Sequence, residues 1–67
     1  MVNIISANIR KLRQKKEISQ DRLSKDANLA LNTIVKIETG ESSNPTVETL
    51  ERIAKALDVP ISDLFKE

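Results

Sequence analysis

The chain has 67 residues, of which 39% are hydrophobic and 31% charged, with one Phe and neither Trp nor Tyr. That is enough for one domain with a thin core, since a chain this short buries only about 60% of its unfolded surface. Cys and His are both absent, which removes disulfides, thiolate metal sites and any Ser–His or Cys–His catalytic pair. Carboxylates alone make a poor zinc site. No enzyme, no cofactor and no metal are therefore expected. No apolar run approaches the ~20 residues that span a bilayer, and Val2–Ile5 is too short for a signal peptide. A soluble cytoplasmic protein with no membrane contact is the expectation.

The formal net charge is only +1, yet its distribution is uneven. Arg10, Lys11, Arg13, Lys15 and Lys16 crowd the first 16 residues without an acid. Acids outnumber bases in the rest of the chain. Such a basic cluster suits an anionic partner, and a solvated helix face is the alternative.

Apolar spacing is helical from end to end. Ile5, Ile9 and Leu12, at i, i+4 and i+7, make one stripe of a first helix over about Asn3 to Lys16. Ser19 is a good N-cap, and Ile18 and Leu23 sit where a hydrophobic staple would close over it. Asp21 suits the positive end of a short second helix, from about Gln20 to Ala27. Asn28 tolerates a left-handed backbone and fits a tight turn. A third helix, about Leu31 to Thr39, carries Ile34 and Ile37 and ends at Gly40.

Glu41 to Pro45 is a loop by composition. Thr46 then caps a fourth helix, whose apolar face is Val47, Leu50, Ile53, Ala54 and Leu57. Pro60 breaks it. Ile61 to Lys66 leaves room for a fifth helical piece of a turn or two, with Leu64 and Phe65 facing back to the core. The result is an all-α, compact five-helix bundle. Its second and third helices are joined by too short a turn to lie antiparallel, so they cross at a wide angle. Such a pair can set its second member in the DNA major groove.

Residues Asn8 to Arg13, Ile18-Ser19-Gln20, Leu23, Ala27, Ile34, Ile37-Glu38 and Gly40 together resemble the phage repressor and Cro-type helix-turn-helix family. Pro45-Thr46-Val47, Leu50, Ile53-Ala54, Ala56-Leu57, Val59 and Asp63-Leu64-Phe65 extend the resemblance over nearly the whole chain. It implies a lambda-repressor-like DNA-binding domain filling residues 1–67, with the helix-turn-helix at about 20–39. It implies sequence-specific binding of double-stranded DNA at a pseudo-palindromic operator, as a homodimer and most often as a repressor.

Carried onto this chain, the resemblance places Gln20 against a phosphate and pairs Arg13 with Glu38 as a structural link between the first and third helices. Leu31, Asn32, Thr33 and Lys36 fall on the outward side of the recognition helix. Asn can contact adenine in bidentate fashion, Lys can reach guanine, and Leu can meet a thymine methyl. Thr39, Ser42, Ser43 and Asn44 match a loop that lies along the DNA backbone. Val59, Ile61, Leu64 and Phe65 are expected to close the core first, with part of their surface left for a dimer interface.

The chain also departs from the family pattern. Ser24 stands where Ala is usual and needs a backbone partner for its hydroxyl. Asn28 replaces a turn Gly. Ala30 replaces a Ser or Thr cap, at a cost of about 0.5–2 kcal/mol. Leu31 is apolar where a polar base reader is common, and Glu41 is acidic in the loop. An antitoxin-like module that binds mainly a partner protein is the alternative, favoured by the near-neutral charge, Leu31 and the missing cap at Ala30.

Overall fold

The computed structural model describes residues 3–41 and 45–67. Its elements are α1 (Ile4–Lys15), α2 (Gln20–Asp26), α3 (Leu31–Thr39), α4 (Val47–Ala56) and a closing 3₁₀ turn (Ile61–Leu64). Among the described residues there is no strand.

Three of the four α-helices begin with a side-chain cap. The Asn3 side chain accepts from the Ser6 N–H at 2.8 Å. Ser19 accepts from the Arg22 N–H at 3.0 Å, and Thr46 from the Thr49 N–H at 3.1 Å. Ala30 gives α3 no such bond.

Three helix ends share one device. Glu17, Asn28 and Asp58 all take left-handed φ near 60°. Each is followed by an apolar residue whose N–H returns to a carbonyl five residues back: Ile18 to Arg13, Leu29 to Ser24, and Val59 to Ala54. This is the Schellman arrangement, in which a left-handed residue satisfies the last carbonyls and an apolar residue folds down behind it. Ile18, Leu29 and Val59 indeed pack against the core. Gly40, with φ of 84°, ends α3.

The core is Ile9, Leu23, Ala27, Ile34, Ile37, Leu50, Ile53, Ala54, Leu57 and Leu64. Around it α3 packs on α2 and α1, while the closing turn packs on α4 and α1.

Four expectations need correction. The fifth piece is a four-residue 3₁₀ turn, not a helix. The Asn8 amide takes the Leu64 and Lys66 carbonyls at 2.9 and 2.7 Å, so those carbonyls are bound to α1. Val47 does not join the core face of α4 but is 63% exposed, because the core-facing stripe begins one turn later at Leu50. Phe65 does not face back either; it lies outside the turn, 48% exposed. Leu64, expected to spare surface for a dimer, is wholly buried, because it plugs the core between α1 and α4.

The caps generate a stability test. Ala30→Ser supplies the missing acceptor and should stabilise by about 1 kcal/mol. Glu17→Gly relieves a left-handed Cβ and should also stabilise, by a smaller net amount because Gly costs more entropy on folding. Thermal unfolding checks both: each kcal/mol is worth roughly 4–8 °C in a domain of this size. A lower Tm for Ala30→Ser would contradict the reading of that helix start.

Candidate nucleic-acid interface

Along α1, each residue of the apolar stripe is followed by a polar one: Ser6 after Ile5, Arg10 after Ile9 and Arg13 after Leu12. Helical periodicity therefore puts Ser6, Arg10 and Arg13 on one ridge beside the core stripe. That ridge faces the C-terminal half of α3. The Ser6 hydroxyl donates to the Ile37 carbonyl, and Ser6 is buried. Arg10 donates to the Glu38 carbonyl at 3.2 Å.

Glu38 is the buried acid of the structure, at 1% exposure. Arg13 grips it with two bonds, Nε to Oε2 at 2.7 Å and a terminal guanidinium nitrogen to Oε1 at 3.1 Å. The planar fork of Arg matches a carboxylate in this way, which Lys cannot do. The other terminal nitrogen of Arg13 donates to the Ile18 carbonyl at 2.9 Å. Arg10 Nε stands 4.0 Å from Glu38 Oε1. A third partner arrives from α2: the Gln20 amide donates to Oε1 at 3.2 Å. One carboxylate thus joins α1, α2 and α3.

The α3 helix has two unlike sides. Ile34, Ile37 and Glu38 are buried, while Leu31, Asn32, Lys36 and Thr39 are exposed and Thr33 is half-buried. Asn32, Lys36 and Thr39 follow at i, i+4 and i+7, one above another on the outer side. Leu31 is 44% exposed at the start of the helix. The Thr39 hydroxyl is engaged locally, donating to the Lys36 carbonyl at 3.1 Å. Ser42, Ser43 and Asn44 lie outside the described residues.

The remaining departures resolve locally. The Ser24 hydroxyl finds the Asp21 carbonyl at 2.7 Å. Asn28 takes its left-handed turn with φ of 58°. Val59 and Ile61 are half-buried and border an open groove with Glu48, Arg52 and Lys55. Among the described residues there is no group of three acids placed to hold a metal ion.

Sequence reasoning missed Ser6, Asn8 and Arg10 as tertiary ties. The polar ridge beside the α1 stripe was the available signal for Ser6 and Arg10; Asn8 carried none. It also missed the tie from Gln20 to Glu38, which depends on how α2 crosses α3.

Among the described residues, four short helices, α2 packed on α3 across a four-residue connection, and a polar outer side on α3 define a helix-turn-helix domain. The family model described as "Helix-turn-helix" matches residues 9–64. The chain belongs to that family. It is 33% identical over 64 residues to the cryptic phage CTXphi transcriptional repressor RstR of Vibrio cholerae, covering 96% of this chain but 57% of that protein. It superimposes with a TM-score of 0.89 on the N-terminal DNA-binding domain of SinR from Bacillus subtilis, at 30% identity over 96% of this chain and 93% of that one. A TM-score of 0.89 also relates it to the restriction-modification controller protein C.AhdI from Aeromonas hydrophila, at 27% identity over 92% of each chain.

The ion pair can be tested by a double-mutant cycle. Glu38→Leu alone strands Arg13 at 14% side-chain exposure and should cost several kcal/mol, of the order of 3–5, in urea unfolding. Arg13→Met with Glu38→Leu should recover most of that loss, since an apolar pair no longer carries a buried charge. Losses that simply add would reject the pairing.

Proposed function

We propose that this chain represses transcription as a homodimer, each copy laying α3 in the major groove of one half of a pseudo-palindromic operator. The observation that carries the reading is the division of α3: its isoleucines and Glu38 hold the fold, and Asn32 and Lys36 are left facing water. In this reading Asn32 and Lys36 contact base edges, Asn toward adenine and Lys toward guanine. Leu31 meets a thymine methyl. Gln20, Thr33, Thr39, Ser42, Ser43 and Asn44 touch the phosphate backbone, which sets register without reading sequence.

Lysines 11, 15 and 16 add to the long-range field that brings the protein to DNA. Val59, Ile61 and Phe65 supply apolar surface for the second copy, with Leu64 left out because it is spent in the core. In this reading the chain works in the cytoplasm, without a cofactor and without catalysing a reaction. Covering a promoter is the simplest route from such binding to repression.

Selection of binding sites from a random duplex pool tests the reading. It should return a two-fold symmetric site with half-sites about 34–36 Å apart. Affinity should fall steeply with salt, and Lys36→Ala should relax the preference at one base pair by about 1–3 kcal/mol. An unchanged selection profile for Lys36→Ala would remove Lys36 from base reading. Recovery of no site would favour a partner protein, docked on the exposed Leu31, in place of DNA.

Phe65→Ser should leave monomer stability nearly intact, because half of the ring is already in water. It should weaken dimerisation in sedimentation experiments. A dimer unaffected by the change would place the interface elsewhere.

A further inference from the structure

Gln20 has a second hydrogen-bond role that bears on how it would meet DNA. It is half-buried, and its Nε2 donates to Glu38 Oε1. Glu38 does not depend on this bond, because Arg13 already supplies two donors to the same carboxylate. An ionised carboxylate only accepts. The amide must therefore turn its nitrogen, and not its oxygen, toward Glu38. An amide nitrogen carries two hydrogens. With one committed to Glu38, the other is held at a fixed angle at the edge of α2.

We infer that Glu38 is a positioning residue for DNA binding: it orients the Gln20 amide so that the second N–H of Nε2 meets a backbone phosphate. The inference rests on the proposed phosphate contact of Gln20 and goes beyond it, by assigning the contact's geometry to an acid on the recognition helix. The same buried carboxylate then sets both the seat of α3 and the donor that α2 offers to the DNA backbone. A negatively charged residue thereby serves the binding of a polyanion without touching it. Left unoriented, the amide would have to give up rotational freedom on binding to turn its nitrogen to the phosphate.

The test uses the full chain and the duplex recovered by site selection, with single phosphates replaced in turn by neutral methylphosphonates. For the unmodified protein, replacing the phosphate that Gln20 meets in each half-site should weaken binding about tenfold or more, the size expected of a hydrogen bond to a charged group. Gln20→Met should keep the fold, bind more weakly, and lose sensitivity at that phosphate alone. Arg13→Met with Glu38→Leu exchanges the buried pair for apolar side chains and leaves Gln20 in place. It should lose sensitivity at the same phosphate, while other phosphates keep theirs.

If sensitivity persists in that double variant but vanishes in Gln20→Met, Gln20 touches the phosphate without help from Glu38, and the inference falls alone. If Gln20→Met keeps the whole pattern, the phosphate contact itself is wrong and the inference falls with it. Should the double variant not fold, amide exchange in the unmodified protein decides. One Gln20 side-chain proton should exchange slowly both free and DNA-bound, and free exchange of both would overturn the assignment.

Discussion

The fold turns on one buried carboxylate. Glu38 sits almost fully out of water and is reached from two other helices: by Arg13 and Arg10 on α1 and by Gln20 on α2. Burying an ion is costly, and its pairing often only repays that cost. The net contribution to stability is therefore small, while losing one partner is expensive. The constraint is geometric: a forked guanidinium and a carboxylate meet well in one register only. That register fixes how far α3 projects and which of its sides faces outward.

Around this tie the remaining devices are local. The left-handed residues Glu17, Asn28 and Asp58 each bring an apolar neighbour down onto the core. None is Gly, so each carries some backbone strain. A helix pair joined by only four residues needs such abrupt stops, because a drawn-out turn would let α2 and α3 drift toward antiparallel packing. The closing 3₁₀ turn completes the enclosure: Leu64 fills the last of the core, and Asn8 ties the backbone around it to α1.

The two sides of α3 then divide the labour of the domain. Ile34, Ile37 and Glu38 face the other helices; Asn32 and Lys36, one turn apart, face water. In the proposed reading their partner is DNA. The weak net charge fits a protein whose cations are partly engaged at home: of the basic residues on α1, Arg10 and Arg13 are turned toward Glu38. The field that α1 offers an anionic partner therefore falls mainly to lysines.

Much of this was legible in the chain itself. Apolar spacing located all four α-helices, Ser19 and Thr46 announced two of the starts, and Asn28 and Gly40 marked two of the ends, because these signals act between residues a few positions apart. The ordered set from Asn8 to Phe65 indicated the family, and through it the Arg13–Glu38 pair. Three-dimensional packing decided the rest. It sent Phe65 and Val47 outward, drew Leu64 wholly inward, ended the chain in a 3₁₀ turn on Asn8, and gave the Gln20 amide to Glu38. Those outcomes depend on atoms 18 to 58 residues apart in the chain, and helical periodicity has no reach over such distances.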